Sequence, residues 1–170
     1  MTNRTTRSIP LTQGYVALVD AADFEMLSHF KWSAEVDGST AYAVKARMCR
    51  RGGGNVFMHR MIMLPEPGQS IDHINGNGWD NRRANLRVCT HAENMRHRRR
   101  PSHNTSGFKG VSWDRQSRSW DARISARGEQ RYLGHFKTAE SAAAAYDAAA
   151  RELHDDFARL NQDEGERTDV

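Results

Sequence analysis

The sequence predicts an α+β fold made of two small modules. Short runs of β-forming residues, separated by Gly, Asn, Asp and Pro, recur in both halves of the chain. Helical spacing of apolar residues is confined to a few segments that follow these runs. The 170 residues are 38% hydrophobic with a mean hydropathy of −0.81, a composition that favours two surface-rich modules over one large core.

Charge and cysteine content narrow the class of protein. The net charge is +4 and the sequence pI is about 9.4, a modest excess that suits a polyanionic partner without identifying one. Cys49 and Cys89 form no Cys-x-x-Cys pair, so we expect neither a disulfide framework nor a zinc site, and the compartment is a reducing cytosol. The amino terminus lacks the apolar core of a signal peptide, and we expect no membrane partner.

The first fifty residues are predicted to form two hairpins on either side of a helix. Gln13-Gly14 divides the first hairpin and Asp37-Gly38 divides the second. Asp20 is a typical helix cap, and apolar residues at helical spacing follow it. The predicted elements are strands at Ile9–Leu11 and Tyr15–Val19, a helix at Ala21–Phe30, and strands at Lys31–Val36 and Thr40–Met48.

Large apolar residues in these elements are predicted to form the core rather than to contact a ligand. The helix should bury one stripe and the strands should bury their largest side chains. The predicted core residues are Phe24, Leu27 and Phe30 on the helix, and Trp32, Tyr42 and Val44 on the strands.

The centre of the chain combines a carboxylate, an imidazole and several carboxamides. Asp72 and His73 end an apolar run, and Asn and Gly turn formers follow them. Leu86–Cys89 alternates like a return strand, and a Thr-x-x-Glu capping box begins at Thr90. The prediction is a hairpin followed by a helix, with Asn94 in the opening turns of that helix.

These side chains suit the hydrolysis of a phosphodiester with one hard divalent cation. Asp72 and the amide oxygen of Asn94 are oxygen ligands of the kind that Mg²⁺ or Mn²⁺ accepts. His73 could take a proton from the attacking water, and Asn85 could hold the tautomer of that imidazole or position a phosphate. The alternative is an Asp- and Asn-rich loop that is held together by its own hydrogen bonds.

The residues DH at Asp72-His73, NRRANLR at Asn81–Arg87, Thr90 and EN at Glu93-Asn94 resemble the HNH endonuclease motif. The variant is the one whose last position is Asn rather than His, and the resemblance covers roughly a seventh of the chain. It implies a ββα-metal fold with Asp72 and Asn94 as metal ligands, His73 as general base and Asn85 as the central Asn of the motif.

Basic residues surround the motif. The family commonly has a His-Arg step before it, here His59-Arg60, and Arg60 is favoured as a phosphate contact because its charge is permanent. His59 could brace the site or touch a phosphate, and a hydrogen-bonded structural histidine is the alternative. The arginines after Asn94 would follow a DNA backbone or form a solvated face. The predicted phosphate contacts are Arg60, Arg82, Arg83, Arg96, Arg98, Arg99 and Arg100.

The second module is predicted to be a three-stranded antiparallel sheet packed on one helix. Thr138 should cap the helix, and small alanines let it lie close to the sheet. The buried stripe of the helix should comprise Ala142, Tyr146, Ala149 and Leu153. The predicted elements are strands at Phe108–Trp113, Trp120–Ala126 and Gln130–Phe136, and a helix from Ala139 to about His154.

This module resembles the ethylene-response-factor or Apetala-two type of DNA-binding domain. The matching segments are SGFKGVSWDRQSRSWDARI, RYLGHFKTAESAAAAYDAAA and ARLN. The resemblance implies a sheet in the major groove, although Ser112 and Ser125 replace family arginines, so the target sequence does not carry over. Core packing is the alternative for Trp120, and a solvated strand face is the alternative for the arginines. The predicted DNA contacts are Lys109, Trp113, Arg115, Trp120, Arg123, Arg127 and Arg131.

These patterns predict a metal-dependent DNA endonuclease of homing type that acts as a monomer on double-stranded DNA. We expect it in the cytoplasm of a bacterium or a phage-infected cell. One alternative is a DNA-binding regulatory or recombination factor whose nuclease module is inactive, and a second is an RNA nuclease. The predicted organisation is a nuclease domain at 1–100 with its metal motif at 71–98, a linker at 101–107, a DNA-binding domain at 108–161 and a disordered tail at 162–170.

Overall fold

The computed structural model describes residues 5–37, 40–46, 54–98, 104–126 and 128–164. Helices and several small antiparallel sheets alternate along these ranges, which confirms the predicted α+β class. The chain divides into two compact units, residues 1–91 and residues 92–170. Among the described helices, none has the length and apolarity that a membrane span requires.

The first unit contains three antiparallel sheets and two short helices in its described part. In chain order the elements are β1 (Thr6–Pro10), β2 (Val16–Asp20), α1 (Ala21–Ser28), β3 (Ser33–Asp37), β4 (Thr40–Ala46), β5 (Asn55–Phe57), α2 (Met58–Met63), β6 (Ser70–His73) and β7 (Leu86–Cys89). Strands β1 and β2 form one sheet, β3, β4 and β5 form the second in that order, and β6 pairs with β7.

The core of the first unit confirms part of the predicted apolar set. Leu27, Trp32 and Val44 are 0%, 2% and 3% exposed. Phe30 is 39% exposed, so its predicted place in the buried stripe is wrong. The reason is local: α1 ends at Ser28, and the carbonyl of Leu27 accepts hydrogen bonds from the Phe30 amide and the Trp32 indole. These bonds turn the chain out of the helix.

Asp20 occupies the position before α1 that was predicted for a cap, but its side chain makes no capping bond. Its carboxylate accepts the backbone amide of Arg83 at 2.9 Å instead. The predicted hairpin at Gln13-Gly14 is confirmed, because both residues have positive φ and β1 pairs with β2 across them. The prediction of a helix cap is wrong because the carboxylate of Asp20 accepts a hydrogen bond from the distant Arg83 amide instead.

The loop between β6 and β7 is fixed to the sheets around it. The Leu18 amide donates to the carbonyl of Trp79, and the Asn81 amide donates to the carbonyl of Leu18, each at 2.8 Å. Gly78 passes so close to β4 that a Cβ there would lie 1.7 Å from the backbone oxygen of Ala41. Only glycine fits this approach, so the loop has one position relative to β2 and β4.

The described part of the second unit comprises two helices and a three-stranded sheet. The elements are α3 (His91–His97), β8 (Val111–Asp114), β9 (Ser119–Ala126), β10 (Glu129–Phe136) and α4 (Ala139–His154). The sheet order is β8, β9, β10, and both pairs are antiparallel. Most residues of α3 belong to this unit, since the boundary lies between His91 and Ala92.

Helix α4 packs on the sheet as predicted. The Thr138 hydroxyl accepts the amide of Ser141 at 3.2 Å, which confirms the cap, and Ala142 and Tyr146 are 0% and 4% exposed. Gly110 lies under the helix with φ of +74°, and a Cβ there would be 2.1 Å from the ring of Tyr146. The positive φ of Gly110 lies outside the extended region, so β8 begins at Val111 rather than at Phe108.

The structure describes residues 104–107 of the predicted linker and residues 162–164 of the predicted tail. Asn104 and Ser106 donate to the carbonyl of Phe108, and the Gln162 amide donates to Asp147. The rest of the predicted linker and tail, at 101–103 and 165–170, lies outside the described residues.

Candidate functional site

Asp72 and His73 end β6 side by side, and each is 6% exposed. In the β6–β7 register Asp72 faces Arg87, and both Nε and Nη2 of this arginine contact the same carboxylate oxygen, Oδ2, at 2.8 and 2.6 Å. The carboxylate is therefore buried with a paired charge. Arg87 was absent from the predicted site, and its cross-strand position was the signal that could have found it.

Asn85 has partners other than the imidazole. Its Nδ2 donates to the carbonyl of Asp80 at 2.7 Å, and its Oδ1 accepts the amide of Asn75 at 2.9 Å. Asn75 in turn donates to the carboxylate of Asp80 at 3.0 Å. Asn85 thus bonds to two other residues of the loop, and the side-chain oxygen that lies within hydrogen-bond distance of the His73 ring belongs to another residue.

That residue is Asn81, which is 1% exposed. Its Oδ1 lies 3.4 Å from Nε2 of His73, and its Nδ2 donates to the carbonyls of Gly78 and Trp79 at 3.3 and 3.2 Å. The two carbonyl acceptors fix which end of the amide faces the imidazole. The loop contains several Asn residues, and the sequence does not indicate which of them is buried against His73.

A second imidazole, His59 on α2, lies against His73. The two rings are edge to face with centroids 5.1 Å apart, and His59 also stacks on Phe57 at 5.3 Å. Tyr42 lies 5.5 Å from His59 and 5.9 Å from His73, so this half-buried tyrosine belongs to the site rather than to the core for which it was predicted. Among the described residues, Nδ1 of His59 is buried without a hydrogen-bond partner.

Burial keeps both imidazoles neutral at pH 7. It lowers the pKa of His59 from 6.5 to about 3, with smaller contributions from His73 and Arg60. Burial also lowers the pKa of His73, although Asn81, Asp72 and Asp80 act in the opposite direction. A neutral, buried imidazole beside a carboxylate can accept a proton from water.

The arginines of the loop have carboxylate partners. Arg82 binds Asp80 through Nε and Nη2 at 2.7 and 2.6 Å, which lowers the pKa of Asp80. Arg83 binds Asp23 in the same bidentate way, at 2.9 and 2.7 Å. Arg60 is exposed and its Nη1 donates to the carbonyl of Gln69. Of these three arginines, Arg60 is the one without an acidic partner among the described residues.

The structure places Asn94 on α3, half-buried, in the second unit. On the same helix Arg96 is half-buried, and Arg98, one residue beyond the helix, is exposed. Lys109 was predicted to contact DNA, but its Nζ donates to the carbonyls of Arg96 and Arg98. The predicted contacts Arg99, Arg100 and Arg127 lie outside the described residues.

The predicted DNA contacts of the sheet do not share one face. Arg131 pairs with the buried Ile124, and paired residues point to the same side, so Arg131 lies on the side that faces α4. Arg123 lies on the opposite face, where it donates to Asp121 at 3.2 Å. Arg115 is exposed in the turn between β8 and β9.

The two tryptophans form a T-shaped pair with centroids 5.1 Å apart. Trp120 packs against the apolar cluster under α4, as the core alternative for this residue proposed. Trp113 is 46% exposed. Of the two, Trp113 is therefore the one that solvent or a ligand can reach.

A group in the second unit that the sequence did not indicate could hold a cation. Asp114, Asp121 and His135 offer ligand atoms that all lie within 4.8 Å of one another. Nδ1 of His135 contacts Asp121 at 2.7 Å, and Ser117 donates to Asp114 at 2.6 Å. The group depends on the β9–β10 register, in which Asp121 faces His135.

Comparisons with known proteins match the segment of the chain that contains Asp72 and His73. The family model of the HNH endonuclease matches residues 57–96. Protein 3.8 of Escherichia phage T7 is 38% identical over 93 residues, which cover 55% of this chain and 76% of that protein. An uncharacterized HNH endonuclease, L560 of Acanthamoeba polyphaga mimivirus, is 27% identical over 156 residues, or 88% of this chain and 76% of that protein.

The second unit has a more limited likeness. APETALA2-like protein 2 of Oryza sativa subsp. japonica is 45% identical over 53 residues, which cover 31% of this chain and 12% of the plant protein. No solved structure matches the chain. From the extent of these matches, the chain belongs to the family of the phage T7 Protein 3.8 and contains an HNH endonuclease domain with phage and viral relatives.

Proposed function

We propose that the protein is a divalent-metal-dependent DNA endonuclease of homing type, whose second unit selects the site of cleavage. The observation that carries the proposal is the buried pair Asp72-His73, in which Asn81 orients a neutral imidazole. Both residues of the pair lie inside the segment that matches the HNH endonuclease. A buried carboxylate beside a neutral imidazole is the chemistry of a metal-assisted hydrolase.

The donor set of the motif fits a hard divalent cation. Asp72 contributes a carboxylate, and the motif position of Asn94 contributes a carboxamide oxygen, both of which suit Mg²⁺ or Mn²⁺ better than zinc. Arg87 contacts Oδ2 of Asp72, and an ionised carboxylate offers about four lone-pair sites to its ligands. A bound cation would stabilise the charge that develops on the phosphate and on the leaving oxygen.

His73 is the proposed general base. Oδ1 of Asn81 can only accept a hydrogen bond, so Nε2 of His73 carries the proton and Nδ1 holds the lone pair. In the proposed step Nδ1 takes a proton from water as the water oxygen attacks phosphorus. The bond from phosphorus to the 3′ oxygen breaks, which leaves a 5′ phosphate and a 3′ hydroxyl after that oxygen is protonated.

Recognition of double-stranded DNA is assigned to exposed side chains. Arg60 and Arg98 are the proposed phosphate contacts because their guanidinium groups reach solvent. Arg123, on the face of the sheet away from α4, is the proposed groove contact, supported by the likeness of this unit to a plant DNA-binding protein of the APETALA2 class. We propose that one copy acts on its site in the cytoplasm of a bacterium or a phage-infected cell.

The proposal is tested by incubating the protein with a library of duplexes in Mg²⁺, in Mn²⁺ and in EDTA, and mapping the ends. His73→Ala should abolish cleavage and leave the Kd for duplex within a few-fold, because a general base acts in the transition state. His29→Ala, an exposed histidine of the same unit, is the matched control. Cleavage of duplex in EDTA, or full cleavage activity of His73→Ala, would contradict the mechanism.

A DNA-binding factor without cleavage is the second candidate. The observation that favours it is the ion pair of Asp72 with Arg87, which engages the carboxylate that the motif assigns to metal. The same library assay separates the two functions. Selective retention of a duplex with no cleaved ends in either metal would establish the binding factor.

A further inference from the structure

We propose that Lys109 is a positioning residue for the nuclease reaction, because it fixes the end of the helix that carries Asn94. The inference rests on the proposed function, in which Asn94 is a metal ligand. Lys109 belongs to the second unit, as does most of α3.

The ammonium group of Lys109 binds the end of α3. Nζ donates to the carbonyl of Arg96, in the last turn, and at 2.8 Å to the carbonyl of Arg98 just beyond it. The last carbonyls of a helix have no partner inside the helix, and a cation there also matches the negative end of the helix dipole. A helix of seven residues is too short to be stable alone, so this contact matters more than it would on a long helix.

The backbone of Lys109 is itself held rigidly. Its amide donates to Oδ1 of Asn161 at 2.6 Å, and its carbonyl accepts Nδ2 of the same residue at 3.2 Å. Asn161 donates in turn from its backbone and side chain to Asp147 on α4, at 2.8 and 2.9 Å. Asn161 and Asp147 are 9% and 4% exposed, so solvent does not compete for these bonds.

A continuous set of hydrogen bonds therefore runs from α4 through Asn161 and Lys109 to the end of α3. The boundary between the units lies at His91 and Ala92, so the strand half of the motif belongs to the first unit and the helix half to the second.

The competing role for Lys109 is a phosphate contact, and Lys109→Met in the full chain separates the two. If Lys109 positions α3, the Mg²⁺ concentration for half-maximal cleavage should rise about tenfold, with kcat at saturating Mg²⁺ nearly unchanged. Amide hydrogen exchange at residues 94–98 should become faster. The slope of log Kd for duplex against log salt should stay as in the wild type.

Two further variants complete the test. Lys109→Arg keeps a cation with several donors and should restore most of the metal affinity and the exchange protection. Lys137→Met removes an exposed lysine of the same unit and should leave both unchanged. Unchanged exchange at residues 94–98 in Lys109→Met, or a salt slope that drops by about 0.9 with unchanged metal dependence, would overturn the inference.

The exchange measurement also separates this inference from the proposed function. It needs neither metal nor cleavage, so it reports on α3 even where the wild type cuts no duplex. Loss of protection without any nuclease activity in the wild type would reject the proposed function and keep the structural role of Lys109. Binding of Mn²⁺ measured by titration calorimetry then decides whether that role reaches the metal, and equal affinity in both proteins would overturn it.

Discussion

Acid should destabilise the first unit through His59. The side chain is 7% exposed, and its pKa falls from 6.5 to about 3 on folding, principally because of burial. Between these values the unfolded chain binds a proton that the folded chain does not, so the free energy of unfolding decreases as the pH falls. From pH 7.5 to pH 4 the loss from this one group is about 3 kcal/mol, at about 1.4 kcal/mol for each pKa unit.

His59→Phe isolates this contribution because phenylalanine keeps an aromatic ring against Phe57 and cannot titrate. Urea unfolding in EDTA should show the variant losing about 3 kcal/mol less than the wild type over that range. Replacing Trp113 and Trp120 by Phe in both proteins leaves Trp32 and Trp79, so that tryptophan fluorescence reports on the first unit alone. Parallel pH dependence of the two proteins would refute the assignment of the acid sensitivity to His59.

In Arg87→Met the buried carboxylate of Asp72 loses its paired charge, so the free energy of unfolding in EDTA should fall by about 3 kcal/mol, and Mn²⁺ should restore part of it. Wild-type stability of this variant would show that the ion pair contributes nothing. Gly78→Ala should cost at least about 2 kcal/mol in urea unfolding, whereas Gly54→Ala, whose Cβ would meet nothing within 4 Å, should be neutral; equal losses would argue against the close approach to β4. Asn81→Leu should lower kcat about 10- to 100-fold with little change in the Kd for duplex, and an unchanged kcat would remove Asn81 from the orientation of His73.

The sequence predicted the elements whose causes are local. Thr138 and the apolar stripe that follows it determine the start and the packing of α4. Gln13-Gly14 similarly determines the hairpin of β1 and β2, because two successive residues of positive φ turn the chain there. Interactions between near neighbours are visible in the order of residues, and these predictions are confirmed.

The side chains that surround His73 could not be predicted in the same way. Arg87 meets Asp72 through the strand register, and Asn81 rather than Asn85 faces the imidazole because of how the loop lies on β2. His59, which contacts the ring of His73, lies on a separate helix, α2. Each of these contacts depends on tertiary packing, and the order of residues carries no information on burial or direction for them.

The faces of the second sheet show the same limit. A register shift between Tyr132 and Gly134 inserts one residue into β10 and changes which side chains point toward α4. Arg131 pairs with Ile124 on the turn side of this shift, so the register of the hairpin itself puts Arg131 and Arg123 on opposite faces. A bulge of this kind has no signature in the sequence beyond the glycine itself.

Residues near the start of the chain hold the loop that carries Asn81. The amide of Arg83 binds Asp20, 63 residues earlier, and the guanidinium of Arg83 binds Asp23, 60 residues earlier. Bringing such distant segments together costs chain entropy before any contact offsets it, and non-local contacts slow folding. The loop should therefore form late, after the first hairpin and α1 have folded. An amino-terminally truncated chain that lacks this hairpin would carry the whole HNH motif in its sequence without an oriented His73.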